Sequence, residues 1–161
     1  MRYFKTIILF ISTLLVFNSC DKGLEPPAAV SSAFLTGKVK FINDWPPQDS
    51  VLGVRVGAFK TLPSQNLIQE VIDGNALFDL NPLGYNLDSA EFQFEIDELP
   101  IELKYIVVAW QYETELTKQR VVGVYNIEND KTKPATINLN YGETKNIEIE
   151  VDWNEFPPQP F

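Results

Sequence analysis

From residue 147 to residue 153 the chain alternates without a break. Ile147, Ile149, Val151 and Trp153 fall on one side of an extended segment, and Glu148, Glu150 and Asp152 on the other. A period of two, rather than 3.6, commits a segment to a half-buried β-strand. The same period recurs upstream. Val39 and Phe41 alternate with Lys38 and Lys40; Leu52, Val54, Val56 and Ala58 with Gly53, Arg55 and Gly57; Phe92, Phe94 and Ile96 with Gln93, Glu95 and Asp97. Tyr105 to Trp110 is apolar on both faces, as a central strand covered from each side must be. The polar turn from Glu113 to Lys118 then leads back through Gln119 to Tyr125, which predicts a hairpin. Thr136, Ile137 and Leu139 begin another strand, and Asn140-Tyr141-Gly142-Glu143 predicts a second hairpin with the last one.

Between these strands stand turn and breaker residues. Asn43-Asp44-Trp45-Pro46-Pro47 ends the first strand, because proline cannot donate to a ladder. Pro63, Asp73-Gly74-Asn75, Asn81-Pro82 and Gly84 punctuate residues 61–90. Leu67-Ile68 with Val71-Ile72 fits either a strand or one helical turn. About seven short strands without a long helix predict an all-β fold, a single β-sandwich over residues 34–153. About 120 residues is one domain's worth, enough to bury a core without disulfides. Pro157-Pro158-Gln159-Pro160, within a tail at 154–161, is expected to hang free of the sandwich.

The N-terminus carries a different signal. Met1, Arg2 and Lys5 form a positive tip, Thr6 to Phe17 is an apolar run, and Asn18-Ser19-Cys20 follows. The run is shorter than the roughly 20 residues a transmembrane helix needs, but it suits the core of a signal segment. Cys20 is the single cysteine of the chain. A lone thiol in an oxidising compartment has no internal partner, so it is either an incidental or buried thiol or a modified one. Ser19-Cys20 resembles the cleavage and acylation point of a bacterial lipoprotein signal, although Phe17 and Asn18 depart from the commonest box. That resemblance implies a signal peptide at 1–19, a lipidated Cys20 anchored in a membrane, and a flexible linker at 20–33 rich in proline and small residues. It implies residence in the cell envelope, at the outer membrane with its face left open.

Charge and composition exclude several classes. Of 13 Lys and Arg, removal of residues 1–19 takes two, Arg2 and Lys5, leaving 11 against 22 Asp and Glu, a formal charge of −11. Nucleic acid binding rests on basic phosphate contacts and is not expected, nor is adhesion to anionic lipid through a basic patch. The chain contains no histidine. It therefore lacks the commonest general base and metal ligand, and any Ser-His-Asp or Cys-His site. No cofactor or metal is expected.

Three segments carry a further resemblance: Gly37-Lys38-Val39-Lys40-Phe41, Leu99-Pro100 leading into Tyr105-Ile106-Val107-Val108-Ala109-Trp110, and Ile147-Glu148-Ile149-Glu150-Val151-Asp152-Trp153. Together they resemble the prealbumin-like (Ig-like) sandwich of carboxypeptidase regulatory-like domains, found in envelope lipoproteins of Bacteroidota and related bacteria. Ile101-Glu102-Leu103-Lys104 stands where that family often has Pro-Gly. The resemblance implies a non-catalytic accessory or binding domain with a protein or glycan partner, and it transfers no site residues. Transthyretin-like hydrolases use histidines that are missing here.

Aromatic side chains are the remaining candidates. Trp45, Tyr112 and Tyr141 are candidates for ligand stacking under the alternative reading of a carbohydrate-binding accessory lipoprotein; Trp45, in its proline-flanked turn, also fits the core or a loop plug, and Tyr141 a hairpin tip. Trp110 and Trp153, at the ends of apolar strands, are read as core. Glu148, Glu150 and Asp152 read as a solvated face, and Asn126, Glu128, Asn129 and Asp130 as a surface loop rather than a calcium site.

Overall fold

The computed structural model describes residues 32–63 and 66–161. The expected signal peptide at 1–19, Cys20 and all but the last two residues of the linker lie outside the described residues. Among the described residues the fold is all-β apart from one short helix and one 3-10 turn, Gln48–Ser50. Its strands are β1 (Ala33–Ile42), β2 (Gly53–Phe59), β3 (Ala76–Phe78), β4 (Ser89–Ile96), β5 (Ile101–Leu103), β6 (Tyr105–Gln111), β7 (Gln119–Val124), β8 (Ile137–Leu139) and β9 (Thr144–Asp152). The helix, α1, spans Leu67–Ile72 between β2 and β3.

Seven strands join in the order β3-β2-β6-β7-β9-β1-β4, and β5 and β8 form a separate pair. All pairings are antiparallel except β1 with β9. The join between β7 and β9 is a single pair, Gly123 opposite Val151. There the sheet folds over, so that β3-β2-β6-β7 and β9-β1-β4 make the two layers of a β-sandwich. A bulge prepares the fold: Val108 faces Gly123 and Ala109 faces Val121, which leaves Val122 as an extra residue in β7. Bulges bend the strand and increase its twist.

The alternating residues enclose one core. Leu35, Val39 and Phe41 of β1, Val54 and Val56 of β2, Phe92, Phe94 and Ile96 of β4, Ile106 and Val108 of β6, and Ile147, Ile149 and Val151 of β9 form one buried cluster. Burying each such side chain stabilises the fold by about 1.5–3 kcal/mol before the cost of chain ordering. The short strands β5 and β8 add Ile101, Leu103, Ile137 and Leu139 to the same cluster. The other face of β6 is also covered. Tyr105, Val107 and Ala109 pack with Phe59, Val121, Val124 and Leu67 of α1 in a second cluster. Burial there pushes the Tyr105 phenol up to about 12.

The ambiguous segment at 67–72 is the helix. Asn66 caps it, its side chain accepting from the Gln69 amide at 2.7 Å. Leu67 and Glu70, three apart, are buried while Ile72 is exposed.

Two expectations about connectivity are corrected. β8 pairs with β5, not with β9, so Asn140–Gly142 joins two different sheets and no second hairpin exists. The tail does not hang free. Pro157 is buried, Phe156 packs on Trp110 and Trp153, and the Gln159 side chain both accepts from the Val121 amide at 2.8 Å and donates to its carbonyl at 3.0 Å. A side-chain amide thus stands in for a neighbouring strand along an otherwise open stretch of β7.

Three turn carboxylates sit below their ordinary range. Asp130 is lowered by the Thr132 hydroxyl and amide, Glu143 by the Asn140 amide, and Asp152 by the Asn154 amide. Each folded-state value lies below the unfolded one, so each contributes stability above its ordinary value of 3.8 or 4.5. That contribution disappears as pH falls through the lowered values. Urea midpoints are expected to stay level between about pH 7 and 5 with respect to these groups and to drop below about pH 4. Combining Asp130→Asn, Glu143→Gln and Asp152→Asn should flatten the drop, and an unchanged slope in the triple variant would contradict the assignment. The effect is small, because all three side chains are solvated.

Candidate functional site: an aromatic cleft at one end of the sandwich

The three tryptophans, far apart in sequence, meet at one end of the sandwich. Trp45 follows β1, Trp153 follows the parallel β9, and Trp110 lies near the end of β6. Their rings form a chain. Tyr85 meets Trp45 at 5.4 Å between centroids, Trp45 meets Trp153 at 4.7 Å, Trp153 meets Trp110 edge-on at 5.8 Å, and Trp110 meets Tyr112 at 5.7 Å. These tilted and edge-on contacts are the favoured aromatic geometries.

Two of the indole N–H groups are tied to backbone. Trp110 Nε1 donates to the Ser50 carbonyl at 3.0 Å, and Trp45 Nε1 to the Leu87 carbonyl at 3.1 Å. Trp153 is buried and its Nε1 has no hydrogen-bond partner among the described residues. The reading of Trp153 as core therefore holds. Trp110 is half-buried, with one side in the cluster and the other at the surface.

On the surface side of Trp110 lies a cleft of about 640 Å³, lined among others by Trp110, Tyr112, Glu113, Arg120, Gln159 and Phe161. The volume falls within the range of small-ligand sites. The β6–β7 hairpin supplies most of the wall. β6 delivers Trp110, Tyr112 follows the strand's last residue, the turn begins at Glu113, and β7 returns with Arg120. The tail supplies the remainder through Gln159 and Phe161. Arg120 makes no ion pair among the described residues, and its guanidinium lies 4.6 Å above the centroid of Phe156. Gln159 is spent on Val121, so it fixes the wall and offers no free amide.

The structure separates the three expected stacking residues. Tyr112 is 37% exposed and lies in the cleft. Trp45 is half-buried at the same end, but its ring is wedged against Phe41 at 4.5 Å and against Trp153. Tyr141 is at the other end of β1, in the turn where Gly142 donates to the Ser32 carbonyl, and its hydroxyl donates to the Leu99 carbonyl at 2.6 Å. Glu113, Arg120 and Phe161 were not singled out by sequence, since nothing local to any of them marks a site.

A second depression, of about 590 Å³, lies over the outer face of β4, β1 and β9. Its charges answer one another across the strands. Lys38 lies in register with Glu91 on one side and Glu148 on the other, and Lys40 pairs with Glu148 at 2.8 Å. This row of lysines between rows of acids accounts for Glu148 and Glu150 as a solvated face. Asp152 accepts from Asn43 Nδ2 and the Asn154 amide. In the loop after β7, Lys133 reaches Glu128 and Asp130, and Thr132 caps Asp130. Those carboxylates are accounted for by protein groups. The aromatic cleft is the better candidate, since it sets aromatic rings beside convergent polar side chains, where the other depression is a paired, solvated strand face.

Compared with known proteins, the chain matches no family model, no curated protein and no solved structure.

Proposed function

We propose that this chain is a lipid-anchored, non-catalytic protein of the cell envelope. On this reading a sandwich of the prealbumin-like kind is held to the outer membrane through Cys20 and presents its loops to a protein or glycan partner. One observation carries the reading. The described chain enters at Ser32 and Ala33, at one end of β1, and the aromatic cleft lies beyond the other. Ten extended residues separate the two ends, a distance of roughly 30 Å. On this reading the tether joins the sandwich at the end of β1 opposite the cleft.

Further support comes from the charge of −11 on the chain beyond residue 19, which keeps a crowded surface protein soluble, and from a sequence without histidine. Among the described residues no helix is long and apolar enough to cross a membrane; on this reading attachment runs through the lipid on Cys20. Several acyl chains on one cysteine make such attachment effectively permanent, at about 0.8 kcal/mol per buried CH₂.

The test is Cys20→Ser in the full chain, expressed in a bacterial host fed labelled palmitate. The parent is expected to take up label and to sediment with membranes, with processing blocked by globomycin. The variant is expected to lose the label and appear in the soluble fraction. A variant that still sediments with the envelope would overturn the anchor.

A further inference from the structure

We infer that the Trp110–Tyr112 cleft binds an uncharged pyranose ring of a glycan, stacked on Tyr112 and bridged through neighbouring hydroxyls between Glu113 and Arg120. The inference rests on the recognition reading above and names its ligand.

The chemistry of the walls selects the class. Tyr112, 37% exposed, and the half-buried Trp110 line the cleft together and offer an aromatic surface suited to the C–H face of a sugar. Glu113 and Arg120 add one acceptor and one donor of opposite charge in the same cleft. A wholly apolar ligand would strip water from both and satisfy neither. An anionic ligand would gain Arg120 but meet Glu113 and a chain of charge −11. A cationic ligand would gain Glu113 and meet Arg120. Neighbouring hydroxyls serve both groups, since each donates to a carboxylate and accepts from a guanidinium. A pyranose is the ligand that combines such hydroxyls with an apolar face.

The site is also held in shape before any ligand arrives. Ser50 fixes the Trp110 indole, Phe156 lies under Arg120, and Val121 holds Gln159. Groups ordered in advance lose little freedom on binding. The weak point of such a site is Tyr112, whose ring is held mainly by its contact with Trp110.

The experiment uses the full chain purified in detergent and titrated with defined oligosaccharides, followed by tryptophan fluorescence and calorimetry. The uncharged probes are hexamers of β-1,4-glucose, α-1,4-glucose, β-1,4-xylose, β-1,4-mannose and N-acetylglucosamine. Polygalacturonate and chitosan serve as the anionic and cationic probes. At least one uncharged hexamer is expected to bind and to shift Trp110 emission, with the charged polymers weaker. Tyr112→Ala should weaken that binding at least tenfold, Glu113→Gln and Arg120→Gln several-fold each, and Tyr112→Phe hardly at all, with melting temperatures unchanged. Binding undiminished in Tyr112→Ala would overturn the site. Preference for either charged polymer would overturn the ligand class. A further arm cross-links the parent chain and Tyr112→Ala to envelope extracts. If no uncharged glycan binds but a protein is captured through Tyr112, the sugar assignment falls and the recognition reading stands. If neither binds, both fall.

Discussion

Gly123→Val is expected to cost about 3 kcal/mol of folding stability, the upper part of the range for over-packed cores. Gly123 is the one residue of β7 in ladder register with β9, opposite Val151. A Cβ there would stand 2.9 Å from the Glu150 carbonyl oxygen, 2.9 Å from Val151 Cγ2 and 3.1 Å from Ile149 Cγ2. None of these neighbours is the loose end of a flexible side chain. One is backbone, and the others belong to buried β-branched residues whose rotamers are restricted. Relief requires the two layers to part where the sheet folds over. Gly74 supplies the contrast. It follows α1 at φ +74, and nothing lies within 4 Å of a Cβ placed there. Gly74→Asn keeps the left-handed conformation accessible and should change stability little. Urea titration followed by tryptophan fluorescence separates the two. If Gly123→Val unfolds within about 0.5 kcal/mol of the parent, the ordinary range of a surface substitution, then β7 and β9 do not meet closely. Against a total stability of about 5–15 kcal/mol for a domain, the expected loss is a large fraction.

What could be read from sequence follows from where the water is. β1, β4 and β9 have one buried face and one more solvated face over most of their length, so their alternation is legible there. β6 reads as a central strand because both its faces are covered, one by the main core and one by the cluster that includes Leu67. Length defeats the same reasoning elsewhere. β3, β5 and β8 have three residues each, at the edge of what a period can mark, and of these only β8 stands out in the sequence. In α1 the apolar residues Leu67, Ile68, Val71 and Ile72 suit either element, and the cap at Asn66 decides it. The turn Asn140–Gly142 announces a change of direction, but a turn does not say which strand the chain joins next. Pattern rules consider backbone pairing, so the docking of the tail through the Gln159 side chain lies beyond them. The cleft is hidden for a related reason. Its walls come from a hairpin, the turn before Ser50 and the last residues of the chain, brought together by the aromatic cluster and by no local motif.

That cluster depends on Trp153, and the second large effect is expected there. Trp153 touches Phe41, Trp45, Trp110 and Phe156. Trp153→Ala should cost about 3–5 kcal/mol, the usual cost of removing a large buried aromatic side chain. Trp153→Phe is more informative. It keeps a ring but removes the Nε1–H, the buried donor without a partner. Leaving such a donor unpaired costs about 1–3 kcal/mol, so its removal offsets much of the lost packing. The phenylalanine variant is therefore expected to lie within about 1.5 kcal/mol of the parent, the range of tolerated hydrophobic replacements. If it loses as much as the alanine variant, the indole N–H contributes more than its lack of a partner implies. The two variants also link stability to the cleft. Trp110 leans on Trp153 from the core side and forms the cleft wall on the other. Trp153→Ala therefore removes the support behind that wall. Loss of sugar binding by the alanine variant at temperatures where it remains folded, with binding kept by the phenylalanine variant, would locate the recognition surface on the aromatic chain itself. Equal binding by both would mean that Ser50 and Phe156 hold Trp110 in place without Trp153.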